Sequence, residues 1–227
     1  MEFHGKAPRV ALISSTRAVF PSMEAAFKTV FPDAAMIHIL DETLLDLFRQ
    51  EGGLSMRSRR KALQMALTAQ DSGVDGILVT CSTLSPAVDE IRPFVNLPIV
   101  KIDEPMVEHV IQSAETIALA ASAETVLKSV EPLIQKKARQ FGRQVSLRRV
   151  ILTDLWPLLQ RDPDAFYREV GKACTHAAEE SQAVVITQVS MAPGREYVHP
   201  EVKGRVHAAP EFAVRALRKL LSNRITE

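Results

Sequence analysis

The residues best equipped for chemistry form one short run, Thr80-Cys81-Ser82-Thr83. It follows the apolar stretch Gly76-Ile77-Leu78-Val79 and precedes Pro86. A thiol can serve as acid, base or nucleophile, and neighbouring hydroxyls and free amides can hold an anion. A short apolar run with β-branched residues, bounded by a glycine and a polar turn, reads as a buried parallel strand. Pro86 suits the first turn of a following helix. Cys81, Ser82 and Thr83 are therefore expected at the carboxyl end of a strand, facing a helix N-terminus. Open α/β sheets take ligands there, and the positive end of the helix dipole favours anions and thiolates.

The elements that must position this run alternate along the chain. Besides the strand at Ile77, strands are expected over 9–13, 35–40, 97–102, 116–120, 144–150, 183–187 and 205–208. Helical spacing is found over 21–30, 41–48, 57–72, 104–112, 163–180 and 210–222, with Gly73 capping the third of these. Residues 123–141 are also helical in pattern, and Pro132 is expected to kink or split that helix. Residues 153–159 read as irregular or helical, and 52–56 and 194–203 as loops. Strands alternating with helices of this length predict an α/β protein with parallel sheets.

The pattern repeats. Val10-Ala-Leu-Ile-Ser-Ser15 matches Ile117-Ala-Leu-Ala-Ala-Ser122, and Ile77 to Pro86 matches Val184 to Pro193; both matches lie 107 positions apart, from 10 to 117 and from 77 to 184. The implied architecture is two pseudo-symmetric lobes, each a parallel sheet flanked by helices. Residues 1–103 with 208–227 would form the first lobe and 104–207 the second. A ligand between such lobes would meet Cys81 on one side and Gln188 on the other.

Composition narrows the classes. The 227 residues are 46% hydrophobic and 24% charged, ordinary for a globular protein with a sizeable core. A net charge of +1 gives no general attraction to nucleic acid or to an anionic membrane. Two cysteines are too few for a disulfide framework or a zinc cluster, which fits a reducing cytoplasm. Residues 1–6 lack the apolar stretch of a signal peptide, and no run of eighteen apolar residues occurs. No metal-ligand spacing and no glycine-rich phosphate loop is present.

Four motifs together carry a family resemblance: Val79-Thr-Cys-Ser-Thr83, Leu97-Pro-Ile-Val-Lys-Ile-Asp-Glu-Pro105, Ala120-Ala-Ser-Ala-Glu-Thr125 and Ile186-Thr-Gln-Val-Ser-Met-Ala192. In this order they span nearly the whole chain, which resembles the aspartate/glutamate/hydantoin racemase superfamily, a group that includes arylmalonate decarboxylases and maleate isomerases. The resemblance implies a cofactor-independent, metal-free enzyme acting at the α-carbon of a small carboxylate or amino-acid-like substrate. It also implies a homodimer or higher homo-oligomer. In that family two cysteines flank the substrate. One thiolate removes the α-proton and the opposing thiol returns one to the other face. By resemblance Cys81 is the first-lobe cysteine. Ser82 and Thr83 take carboxylate-binding places, and Ser14, Ser15, Thr16, Ser122 and Thr125 line the same pocket. The second cysteine position holds Gln188, followed by Val189 and Ser190.

A carboxamide donates and accepts hydrogen bonds but is no base near neutral pH. Cys174, inside the helix expected over 163–180, does not restore the pair. One thiol suffices for three chemistries: protonating an enediolate after loss of carbon dioxide, covalent addition to an activated double bond or carbonyl, or exchange of one α-proton. In each, Gln188 and Ser190 would stabilise developing negative charge. The alternative reading is a non-catalytic protein that binds a small carboxylate or amino acid. A redox sensor built on Cys81 is a third. His38, His109, His176, His199 and His207 are scattered and read as structural or solvated, with His207 the nearest to a strand end.

Overall fold

The computed structural model describes residues 7–225. In chain order the elements are β1 (Arg9–Ser14), α1 (Phe20–Val30), β2 (Ala35–Leu40), α2 (Thr43–Glu51), α3 (Met56–Asp71), β3 (Gly76–Val79), α4 (Ser85–Ile91), β4 (Ile99–Lys101) and α5 (Glu104–Ser113). They continue with β5 (Thr116–Ala121), α6 (Glu124–Gln140), β6 (Ser146–Ile151), α7 (Trp156–Arg161), α8 (Pro163–Glu179), β7 (Ala183–Ile186), α9 (Pro200–Lys203), β8 (Val206–Ala208) and α10 (Ala209–Ile225). The strands form two four-stranded sheets of the same order, β2-β1-β3-β4 and β6-β5-β7-β8, and every pairing is parallel. The chain divides into two compact units, Met1–Ile102 with Pro210–Glu227, and Asp103–Ala209. No helix among the described residues is long and apolar enough to cross a membrane.

The inner strands owe their place to composition. All four residues of β3 and of β7 are buried, as an apolar run covered on both faces requires. The edge strand β6 instead alternates between exposed and half-buried positions. In the first unit the core gathers Ala11, Ile13 and Ile77 from the sheet with Leu47, Phe48, Ala66 and Val88 from the helices. Gly76 opens β3 where α10 presses closest: a Cβ there would lie 3.2 Å from Leu217 Cδ1 and from Leu221 Cδ2.

The repeat read from the sequence is built into the strand register. Val10 pairs with Gly76 and Ile117 with Ala183; Ile77 pairs with Ile99 and Val184 with Val206. Each second pair lies 107 positions beyond the first. Only the outer strands depart, since Arg9 pairs with Ala35 and Thr116 with Ser146.

Two local expectations change. Pro132 does not split its helix, for α6 runs from Glu124 to Gln140 with the proline inside. Pro132 has no N–H to donate within the helix, and it lies on the exposed side of α6. Residues 194–203 are not an open loop: a 3-10 segment runs from Val189 to Tyr197 and α9 follows.

Candidate functional site

A sheet of order 2-1-3-4 sends its crossovers to either side of the central pair, leaving a crevice at the carboxyl ends of β1 and β3. The first unit's polar residues collect there. Thr80 extends the ladder by donating its N–H to the Ile13 carbonyl at 3.0 Å, and its hydroxyl reaches the same oxygen at 3.2 Å. Ser14 Oγ lies 2.8 Å from Thr80 Oγ1, a buried pair that ties the two strand ends together. One residue farther on, Ser15 Oγ donates to Cys81 Sγ at 3.1 Å. The sulfur accepts, a role that a thiolate fills better than a thiol.

Behind Cys81 the chain turns tightly. Leu84 N–H donates to the Cys81 carbonyl at 3.0 Å and Ser85 N–H to the Ser82 carbonyl at 3.2 Å, and α4 begins. Thr80, Ser82 and Thr83 are buried, whereas Cys81 is only half-buried. Thr16 is half-buried and accepts from Ala18 N at 3.2 Å, capping the 3-10 turn Arg17–Val19.

The second unit repeats the arrangement with one substitution. Thr187 donates N–H and hydroxyl to the Ala120 carbonyl, at 3.0 and 2.9 Å, as Thr80 does to Ile13. Ser122 occupies the place of Ser15. Its N–H and its hydroxyl both donate to Gln188 Oε1, at 2.7 and 3.1 Å. With that oxygen engaged, the donor end of the amide is the end left for other partners. Gln188 is half-buried like Cys81, while Val189 and Ser190 are buried at the head of the 3-10 segment. Thr125 lies half-buried in the first turn of α6.

Of the residues named from sequence, Ser14, Ser15 and Cys81 thus meet in one unit, and Ser122 and Gln188 in the other. Thr80 and Thr187 had no place assigned in the pocket. Their shared position immediately before the reactive side chain, at the same spacing of 107, was the available signal. Cys174 is wholly buried in α8, and burial pushes its thiol up to about 12, which removes it from acid–base chemistry at neutral pH. His207 is the one histidine in a distinctive setting. Its ring lies edge-on to His109, with centroids 5.5 Å apart. Burial, then the nearby His109 and Arg195, pull it down to about 4, so it is neutral at pH 7. His38 stacks on Phe20 and is also lowered, chiefly by burial. Among the described residues no group of three or more His, Cys, Asp or Glu is arranged to hold a metal ion.

No curated protein matches the sequence. Solved structures do match the fold. Allantoin racemase from Klebsiella pneumoniae superposes with a TM-score of 0.70 at 17% identity, over 96% of this chain and 89% of that one. Glutamate racemase from Thermus thermophilus, in complex with β-chloro-D-alanine, gives 0.71 at 12% identity, over 96% and 82%. Aspartate racemase from Picrophilus torridus gives 0.69 at 13% identity, over 96% and 95%. The sequence model of one family, described as Asp/Glu/Hydantoin racemase, spans residues 10–217. With that match over nearly its full length, on two like sheets with equivalent strand-end turns, the chain belongs to the Asp/Glu/hydantoin racemase family.

Proposed function

We propose that this chain is a cofactor-independent enzyme acting at the α-carbon of a small carboxylate, with Cys81 as its single acid–base thiol. The observation that carries the reading is the matched pair of strand-end contacts: serine to sulfur in one unit, serine to carboxamide in the other. The first pair holds an ionisable group and the second holds none. Three proteins that share the fold are racemases of allantoin, glutamate and aspartate, which supports a small carboxylate or amino-acid-like substrate.

A single thiol limits the outcome. As thiolate, Cys81 takes the α-proton and becomes a thiol, leaving an enediolate. Once the thiol has traded that proton with solvent, delivering one back to the same face restores the starting stereochemistry and leaves a solvent hydrogen on the α-carbon. Where the substrate carries a second carboxylate on the α-carbon, carbon dioxide leaves instead, and the thiol's proton goes to the resulting carbanion. Gln188 has no titratable proton to deliver near neutral pH, so its amide is confined to hydrogen bonding. A well-placed donor to developing negative charge supplies ~2.7–4 kcal/mol in a comparable role elsewhere.

The test is a panel of amino acids, hydantoins and malonates in heavy water, followed by NMR for α-deuterium and by carbon dioxide release. Turnover of at least one class is expected from the wild type and none from Cys81→Ala, with circular dichroism unchanged. Full activity in Cys81→Ala overturns the assignment. Ligand binding with no exchange and no decarboxylation favours the rival reading, which rests on Gln188: a carboxylate-binding protein with no catalysis.

A further inference from the structure

We propose that Lys101 is a positioning residue for Cys81, gripping helix α4 through Asp89 and so fixing the turn that presents the sulfur. Lys101 ends β4, in register with Val79, and its side chain is only 4% exposed. Its Nζ lies 2.7 Å from Asp89 Oδ1, on α4. Arg92 Nη1 donates to the same oxygen at 2.8 Å, while Arg92 Nη2 donates to the Ile99 carbonyl of β4 at 3.2 Å. One carboxylate on α4 is thus held by two cations, one of them rooted in β4 and the other hydrogen-bonded to it.

Stability does not explain a lysine here. Its strand neighbours Ile99, Val100 and Ile102 are buried and apolar. The Asp89 side chain is 41% exposed, so water screens the attraction while the buried lysine must still be desolvated, and the pair adds little net stability. What an ion pair adds is direction. Helix α4 has only seven residues, and its buried face is Ala87, Val88 and Ile91 with Ser85. Such a face lets a short helix slide or rotate at little cost, whereas a carboxylate gripped by two cations does not. The turn from Cys81 to Leu84 runs directly into this helix, and Cys81 packs against the same core cluster as Val79, Val88 and Ile99. A shift of α4 therefore moves Sγ relative to the Ser15 hydroxyl.

The inference concerns how the sulfur is presented, so it can be read by thiol chemistry without a substrate. The experiment alkylates the native full-length chain with iodoacetamide and follows intact mass. Cys174 is silent because it is buried, and Cys81→Ala confirms this. Lys101→Met is expected to keep its melting temperature within a few degrees of wild type, yet to alkylate Cys81 at least about fivefold more slowly near pH 7. The deficit is expected to shrink toward pH ~10, where an ordinary thiol ionises unaided. Lys101→Arg recovers most of the rate, and Asp89→Asn slows it as Lys101→Met does. A rate in Lys101→Met within about twofold of wild type, or a faster one, overturns the proposal, since a merely structural ion pair moves the melt and not the sulfur. Should that variant fail to fold, Asp89→Asn decides on the same criterion. Slowed alkylation in a protein that turns over no acid of the panel would leave this inference standing and remove the proposed function.

Discussion

Replacing Gly171 by alanine measures how closely α8 grips the segment that follows Gln188. A Cβ at 171 would sit 2.6 Å from Tyr197 Cβ, 2.7 Å from the Tyr197 carbonyl carbon and 2.8 Å from its oxygen. Carbon atoms in contact rest ~3.5–4.0 Å apart, so about 1 Å must open. The obstructing atoms are main chain or bonded to it, and no rotamer change relieves them. The contact is reciprocal, because a Cβ at Gly194 would lie 2.5 Å from Val170 Cγ1. Overpacking of this kind costs about 1–3 kcal/mol, with backbone obstruction toward the upper end. Alanine recovers about 1 kcal/mol over glycine inside a helix. The net loss is ~1–2 kcal/mol, which for a chain of this size lowers the melting temperature by roughly 2–8 °C. The control is Gly204→Ala. Its backbone is helical, at φ −66°, and a Cβ there would meet nothing within 4 Å. It should gain ~0.4–1 kcal/mol from a less flexible unfolded chain. Thermal melts by far-UV circular dichroism compare the two. If Gly171→Ala melts at or above wild type while Gly204→Ala behaves as expected, the packing argument is wrong.

Three further outcomes follow from the geometry. Ser15→Ala removes the hydroxyl 3.1 Å from Cys81 Sγ; a hydrogen bond to a charged group is worth ~1.5–3 kcal/mol, so iodoacetamide alkylation near pH 7 should slow about tenfold while the fold is kept. Gln188→Cys should place a second thiol against Ser122, and native protein should then take up two equivalents of iodoacetamide where wild type takes one; uptake of one would show that the second turn cannot present a thiol. His207 is held near 4 in the folded chain against about 6.5 unfolded, so the unfolded state binds the proton first. Stability is therefore full above pH ~6.5, declines as pH falls, and has lost its whole contribution below pH ~4. After allowing for partial exposure that loss is ~2 kcal/mol, and urea titrations of His207→Gln should show a flatter decline across the window.

The strands were legible because buried parallel strands announce themselves as apolar runs, and a duplication makes each run vouch for its twin. Cys81 and Gln188 were legible for the same reason, as unlike residues at like positions. The partner of each was not. Ser15 and Ser122 were singled out as pocket residues, but that they hydrogen-bond the very side chains they accompany depends on register between strands, which sequence spacing does not encode. Lys101 was invisible as a tether, since a lysine at a strand end reads as a solvated terminus until Asp89 is found across from it. Residues 194–203 looked like a loop because the close approach that Gly171 and Gly194 allow there is a property of missing atoms. Pro132 misled as a break because it lies on the exposed side of α6, where one missing N–H does not end the helix.

The two sheets keep step at 107 positions along three strands, but the outer strand falls four residues later in the second copy, from Ala35 to Ser146 against Arg9 to Thr116. The next crossover is shorter by the same amount, so step is regained at β7. The helix of the crossover into that outer strand has 17 residues in the second copy, α6, against 11 in the first, α1. The halves thus differ in length at the rim, while the strand ends bearing serine, threonine and their reactive neighbour keep a common ruler.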